Sequence, residues 1–266
     1  MSGAPVRAGA GSLESTLRAR RDQGAKLLIP YVMAGMTGDW VPTLQAVAAA
    51  GADAIEVGLP FSDPMIDGQV IQAAGLAALG RGTTVAGVLD ELARADAGVP
   101  LVVMTYYNLV FRAGHRRFAA DLVAAGVSGA LIPDLSLEEL DPWAQAADAA
   151  GVETVLMVAP PTPPERMRAL AARARGFLYA VARMGVTGER AELGAEVKGT
   201  VERARRATDL PICAGIGIST PDQARQACET ADGVAVGSAL VRRLLDGAGP
   251  EGAGRFVAEL RAALGP

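Results

Sequence analysis

Histidine and cysteine are almost missing from this chain: 266 residues include one histidine and two cysteines. A histidine-based metal centre, a histidine-dependent triad and a disulfide framework all need more of these residues than are present. Enzymatic proton chemistry would therefore fall to carboxylates. A basic excess is missing too. With Lys+Arg 25 against Asp+Glu 29 the formal charge is -4, so no general electrostatic drive toward nucleic acid or anionic lipid exists, and a small-molecule partner is indicated. No run reaches the roughly 20 uncharged apolar residues of a membrane helix. Residues 1–11 (MSGAPVRAGAG) lack the apolar core of a signal peptide and read as a loose terminus. The sequence thus predicts a cytoplasmic protein with Cys213 and Cys228 reduced.

What is present is apolar: 50% hydrophobic and 20% charged residues, a globular balance. Eight short β-rich runs recur, at 26–34, 52–59, 100–107, 129–135, 153–159, 176–182, 210–217 and 233–238. They are continuous rather than alternating, as strands covered on both faces are. Between them lie helical patterns, among them 41–50, 119–125, 137–150, 164–175 and 221–230. Asp141-Pro142 and Ser219-Thr220-Pro221 place capping side chains ahead of a proline tolerated in a first helical turn. Eight such units predict a (β/α)8 TIM barrel, a single domain over 1–266 with an extra N-terminal helix. An open doubly wound sheet is the alternative, but no G-x-G-x-x-G follows the first run. The Gly-rich 246–254 reads as a surface break before a final helix.

Right-handed crossovers put all strand-to-helix loops of such a barrel at one end, where chemistry is expected. The second run contributes Glu56 inside the apolar frame AIEVG, and FSDPMIDGQ follows with Asp63 and Asp67. A carboxylate within a barrel strand is expensive to bury, so Glu56 is either a hydrogen-bonded core acid or kept for chemistry. Asp67 before Gly68 is either a turn former or a second acid. The seventh and eighth runs end in Gly215-Ile216-Gly217 and Val236-Gly237-Ser238. Both read as passing straight into helices, an arrangement that suits an anion. The sixth leads into 184–190, a small, polar stretch able to cover a ligand. His115 reads as solvated, Arg203–Arg206 and Arg242-Arg243 as helix surface, and Trp40 and Trp143 as packing or partner residues.

Together the strings IEVGLPFSDPMIDGQVIQ, VVMTYYNLVF, ALIPDL, FLYAVARMGVTG, GIGIS and VGSAL resemble the tryptophan synthase alpha subunit family, in order from about Ile29 to Leu240. The resemblance implies retro-aldol cleavage of indole-3-glycerol phosphate to indole and glyceraldehyde 3-phosphate, with no metal or cofactor in this chain. It assigns Glu56 as the acid/base and Asp67 as the partner of the indole N–H. Tyr179 matches the tyrosine near the glutamate. Tyr31, Met104, Tyr106 and Ile216 would line the indole pocket, and Thr187, Gly188, Gly217, Gly237 and Ser238 would hold substrate, the glycines and Ser238 at its phosphate. A beta subunit carrying pyridoxal phosphate is implied as partner, contacted through Pro60, Asp63 and Pro64. Three departures stand out: Gln69 where proline is common, Ala182 where serine is common, and Ile216 where an aromatic is common.

Two other readings stay open on sequence alone. A stand-alone lyase releasing free indole needs the same acids and phosphate turns. A catalytically silent barrel retained as an allosteric subunit is disfavoured by two costly acids being kept.

Overall fold

A computed structural model describes residues 12–181, 195–215 and 217–265. Its eight strands, β1 (Leu27–Met33), β2 (Ile55–Gly58), β3 (Leu101–Met104), β4 (Gly129–Leu131), β5 (Glu153–Val158), β6 (Leu178–Val181), β7 (Ile212–Gly215) and β8 (Gly233–Val236), form a closed barrel in chain order. All pairings are parallel, and β8 returns to β1 through Leu27↔Gly233 to Pro30↔Val236, so the open-sheet alternative is excluded. The helices are α1 (Ser12–Asp22), α2 (Trp40–Ala49), α3 (Gln69–Gly80), α4 (Val85–Arg94), α5 (Tyr107–Ala113), α6 (His115–Ala124), α7 (Asp141–Ala150), α8 (Pro164–Arg173), α9 (Ala195–Arg205), α10 (Pro221–Ala227), α11 (Ser238–Leu245) and α12 (Gly249–Leu264). No helix among the described residues is long and apolar enough to cross a membrane.

Alternation along each strand divides the core in two. Leu27, Ile29, Val102, Leu131, Val155, Cys213 and Ala235 fill the barrel interior. Leu28, Val32, Val57, Val103, Leu156, Ile212 and Val234 face outward and join the layer packed under the helices. Both faces are covered, which explains the continuous apolar runs.

The expected N-terminal helix is α1, and it closes the barrel at the strands' N-terminal ends. Leu13 and Leu17 are fully buried in the interior cluster, each worth roughly 1.5–3 kcal/mol of burial. Glu153, at the start of β5, accepts from the Leu13 N–H at 3.1 Å and the Glu14 N–H at 2.7 Å, satisfying orphan donors of the first turn. Gly176, at φ +79°, lets the chain pass, since a Cβ there would lie 2.6 Å from Leu13 Cδ2. At the same end Asp53 accepts from Arg20 at 2.9 Å, Arg261 at 2.6 Å and the Leu28 N–H at 2.8 Å, tying the first and last helices to β1.

Several expected boundaries move. The fourth run, expected to reach 135, is strand only to Leu131, because Pro133 has no N–H and Asp134 Oδ1 instead accepts from the Tyr107 N–H at 2.9 Å. That same bond starts α5 at Tyr107, so the third run stops at Met104. Asp141 lies inside α7, whose N-cap is Leu140, whereas Thr220 caps α10 as expected by accepting from the Gln223 N–H at 3.3 Å. The Gly-rich 246–254 is no break throughout, since α12 begins at Gly249. Arg203 is no surface arginine either: its guanidinium bonds the Ala159, Pro160 and Thr162 carbonyls at 3.2, 2.8 and 3.1 Å.

Candidate active site

Glu56 sits mid-strand on β2, in register with Tyr31 of β1 and Val102 of β3. It is 2% exposed, and its Oε1 has no hydrogen-bond partner among the described residues. A core acid kept for structure would be satisfied by donors; this one is not. Burial alone lifts its carboxyl from the ordinary 4.5 to about 8, so it holds its proton at neutral pH.

Asp67 arrives from the loop between β2 and α3. It too is buried, with Oδ1 unpartnered. Burial raises its carboxyl and the Tyr106 hydroxyl, hydrogen-bonded to it, pulls the other way. Tyr106 is itself fixed: it accepts from the Ile66 N–H at 3.1 Å and stacks on Phe61 with ring centroids 5.0 Å apart. Its phenol is pushed up to about 12, chiefly by burial. The helix following Asp67 begins at Gln69, a position where proline would also fit, and the Gln72 amide ties back to the Asp67 carbonyl at 2.8 Å.

Two further tyrosines point inward, each over a glycine on the next strand. A Cβ on Gly58 would lie 1.8 Å from the Tyr31 hydroxyl oxygen, and one on Gly215 would lie 2.1 Å from Tyr179 Cε1. Each glycine stands two residues beyond its tyrosine's register partner, Glu56 for Tyr31 and Cys213 for Tyr179, on the same face of its strand. Both phenols are raised well above the ordinary value, first by burial and then by nearby acids: Asp67 and Glu56 for Tyr31, Glu56 for Tyr179. Glu56 thus acts on both inward tyrosines and Asp67 on Tyr31 and Tyr106. Met104 ends β3, half-buried, on the interior face.

At the closing strands, Gly237 is the N-cap of α11 and Ser238 its first residue, buried, as expected. The β7 turn differs from expectation: residues 216–220 separate β7 from α10, and Gly217 adopts φ +72°. Such a conformation favours glycine. Thr187, Gly188 and Ile216, together with Ala182 and the stretch 184–190, lie outside the described residues. In the 60–68 loop Pro60 is buried, while Asp63 is exposed and accepts from Ser62 Oγ at 2.5 Å. Pro64 is half-buried beside Met65, which is 88% exposed. His115 is half-buried rather than solvated, with its Nε2 2.9 Å from the Tyr107 hydroxyl. Among the described residues no cluster of three or more His, Cys, Asp or Glu could hold a metal.

Reading residues singly missed the seats that Gly58 and Gly215 provide. The signal was there as period-two spacing, Glu56 to Gly58 and Cys213 to Gly215.

A family model described as tryptophan synthase alpha chain matches residues 17–261. The chain belongs to that family. Similar members include the tryptophan synthase alpha chains of Streptomyces coelicolor, 43% identical over 93% of this chain and 94% of the relative, and of Thermobifida fusca, 45% identical over 88% and 89%. Among solved structures, Mycobacterium tuberculosis tryptophan synthase superposes with a TM-score of 0.89 at 37% identity, covering 96% of this chain and 98% of that one. The Legionella pneumophila alpha chain gives 0.85 at 31% identity, covering 95% and 96%. Membership in the tryptophan synthase alpha chain family thus spans nearly the whole barrel, including both buried acids.

Proposed function

We propose that this barrel is a carbon–carbon lyase that cleaves indole-3-glycerol phosphate to indole and glyceraldehyde 3-phosphate. What carries the reading is the pair of buried carboxyls, each with an oxygen left unpartnered, in a family named for tryptophan synthesis. Breaking the bond between indole C3 and the glycerol chain requires an electron sink. The indole ring becomes one when C3 is protonated. Glu56, holding its proton at neutral pH, is matched to that delivery; the carboxylate left behind then takes the proton of the glycerol hydroxyl as its carbon becomes the aldehyde. The C3 bond breaks, and its electron pair returns to the ring as indole leaves.

Asp67 has a different task. As a carboxylate it accepts the indole N–H and stabilises positive charge developing on that nitrogen. Burial raises its carboxyl while the Tyr106 hydrogen bond favours the charged form, an opposing influence that Glu56 does not have. Tyr179 acts beside Glu56; Tyr31, Met104 and Tyr106 form walls for the indole, and the family resemblance assigns Ile216 to the same pocket. The phosphate is assigned to the backbone of Gly188, Gly217, Gly237 and Ser238 with Thr187 beside it, where the start of α11 favours an anion.

The chemistry uses no metal and no cofactor bound to this chain. Pyridoxal phosphate belongs to a beta subunit, met through Asp63 and Pro64 at the surface and Pro60 behind them, in cytoplasmic tryptophan biosynthesis. The test is indole release by the purified chain from indole-3-glycerol phosphate while a beta subunit is titrated in. Cleavage strongly stimulated by the partner supports the whole reading. High unassisted turnover, unchanged by partner, would make the chain a stand-alone lyase, and no cleavage in either arm would refute the assignment.

A further inference from the structure

Tyr31 has more to offer this site than a ring. Its hydroxyl stands where a Gly58 side chain would be, on the same strand face as Glu56, placed there by the β1–β2 register. The residue is buried, yet within the described residues the hydroxyl bonds only Met33 Sδ, at 3.9 Å. A thioether is a weak acceptor. Glu56 is its register partner, and the same site holds two buried oxygens with no partner among the described residues, Glu56 Oε1 and Asp67 Oδ1; after burial, the charges of Asp67 and then Glu56 are the next influences on the Tyr31 phenol. A buried donor without a good acceptor thus shares the site with a buried acceptor without a donor.

Tyr106 and Tyr179 do not fill this gap. The Tyr106 hydroxyl already serves Ile66 and Asp67, and Tyr179 is influenced by Glu56, Cys213 and Tyr31 but not by Asp67. Of the three tyrosines, Tyr31 is the one coupled to both acids with its proton still available.

We propose that the Tyr31 hydroxyl, seated over Gly58, is a positioning group that turns from Met33 Sδ to Asp67 Oδ1 in the ligand-bound site and holds that carboxylate for the indole N–H. A charge-assisted bond to a carboxylate is far stronger than one to a thioether, so the exchange is downhill once the loop bearing Asp67 settles on a ligand. Both acids favour the neutral phenol, which keeps the proton available to donate. The titratable groups of this site are Glu56 on β2, Asp67, Tyr31 on β1, Tyr106 after β3 and Tyr179 on β6; Tyr106 bonds Asp67, Asp67 and Glu56 act on Tyr31, Glu56 acts on Tyr179, and neither acid's shift has a cation among its causes. A donated proton therefore has no cationic competitor in setting Asp67's ionisation among the described residues.

The proposal rests on the lyase reading for its role but not for its measurement. Tyr31→Phe removes one oxygen and leaves the ring. In the full chain with indole added, carbon-13 carboxyl resonances are titrated in wild type and Tyr31→Phe, the Asp67 signal being assigned with Asp67→Asn. Loss of the donor should move the Asp67 midpoint up by about one pH unit, the scale of one hydrogen bond to a charged group. The acid limb of kcat/KM for indole release should move up with it, and kcat/KM at neutral pH should fall about tenfold. An unmoved Asp67 midpoint in folded Tyr31→Phe overturns the proposal, whatever the rate does. If wild type releases no indole, the lyase reading fails while the titration still decides whether Tyr31 and Asp67 are paired. Gly58→Ala supplies a second test, because a Cβ 1.8 Å from the hydroxyl must displace it. It should raise the Asp67 midpoint in wild type and add little in Tyr31→Phe; equal effects in both backgrounds contradict the pairing.

Discussion

Replacing Glu56 by glutamine should make the protein more stable at neutral pH while removing its activity. The folded carboxyl titrates near 8 and an unfolded one near the ordinary 4.5. Below 4.5 both states hold the proton and Glu56 has no effect on the pH dependence. As pH rises from 4.5 toward 8 the unfolded chain releases its proton and the folded chain does not, so stability falls with pH across that window. At about 1.36 kcal/mol per pH unit, the loss at pH 7 is about 3 kcal/mol. Glutamine keeps the shape and cannot ionise, so most of that loss disappears. Urea denaturation of both proteins at pH 5 and pH 7.5 measures it. The midpoints should lie close together at pH 5 and separate at pH 7.5 in favour of Glu56→Gln, with equal slopes. A separation independent of pH, or a variant less stable at pH 7.5, would refute the claim that burial without a partner sets this carboxyl.

Three other perturbations follow from the geometry. Gly215→Ala puts a Cβ 2.1 Å from the Tyr179 ring, so the ring must leave its place beside Glu56; steady-state indole release should fall about tenfold or more with the fold intact, and an unchanged rate would make the placement of Tyr179 immaterial. Gly237→Val is tolerated by the described residues, since a Cβ there makes ordinary contact with Tyr31, Cβ at 3.7 Å and Cγ at 3.9 Å. Its branches project at the helix start, and calorimetry should show glycerol 3-phosphate binding weakened about tenfold or more with little change in Tm; equal affinity would move the phosphate site elsewhere. Glu153→Ala removes the acceptor for the Leu13 and Glu14 N–H groups. Stability should drop by about 1–2 kcal/mol, with faster amide exchange confined first to α1. Unaltered exchange in α1 would show that Leu13 and Leu17 alone hold the plug.

The barrel was legible because parallel strands covered on both faces write themselves as continuous apolar runs, and Glu56 because a carboxylate inside such a run is out of place; Asp67, in the loop that follows, read by itself equally as a turn former, and the family resemblance assigned it. Strand ends were less legible. Asp134 capturing the Tyr107 N–H shortens both β3 and β4 through a contact between distant positions, which no local pattern announces. The same limit hid the tyrosine seats: Gly58 and Gly215 look like ordinary strand glycines until register sets Tyr31 and Tyr179 against them. Arg203 looked like helix surface because its three carbonyl partners lie about forty residues earlier in the chain.

The central claim is that two buried carboxyls with different tasks do the work at this site. Single-turnover indole formation from indole-3-glycerol phosphate tests it most directly, since it isolates the chemical step from product release. Glu56→Gln and Asp67→Asn, each folded and each measured with saturating substrate, should slow that step by about 100-fold or more, the scale of one acid/base or electrostatic group. A single-turnover rate within a few-fold of wild type in either variant would contradict the account.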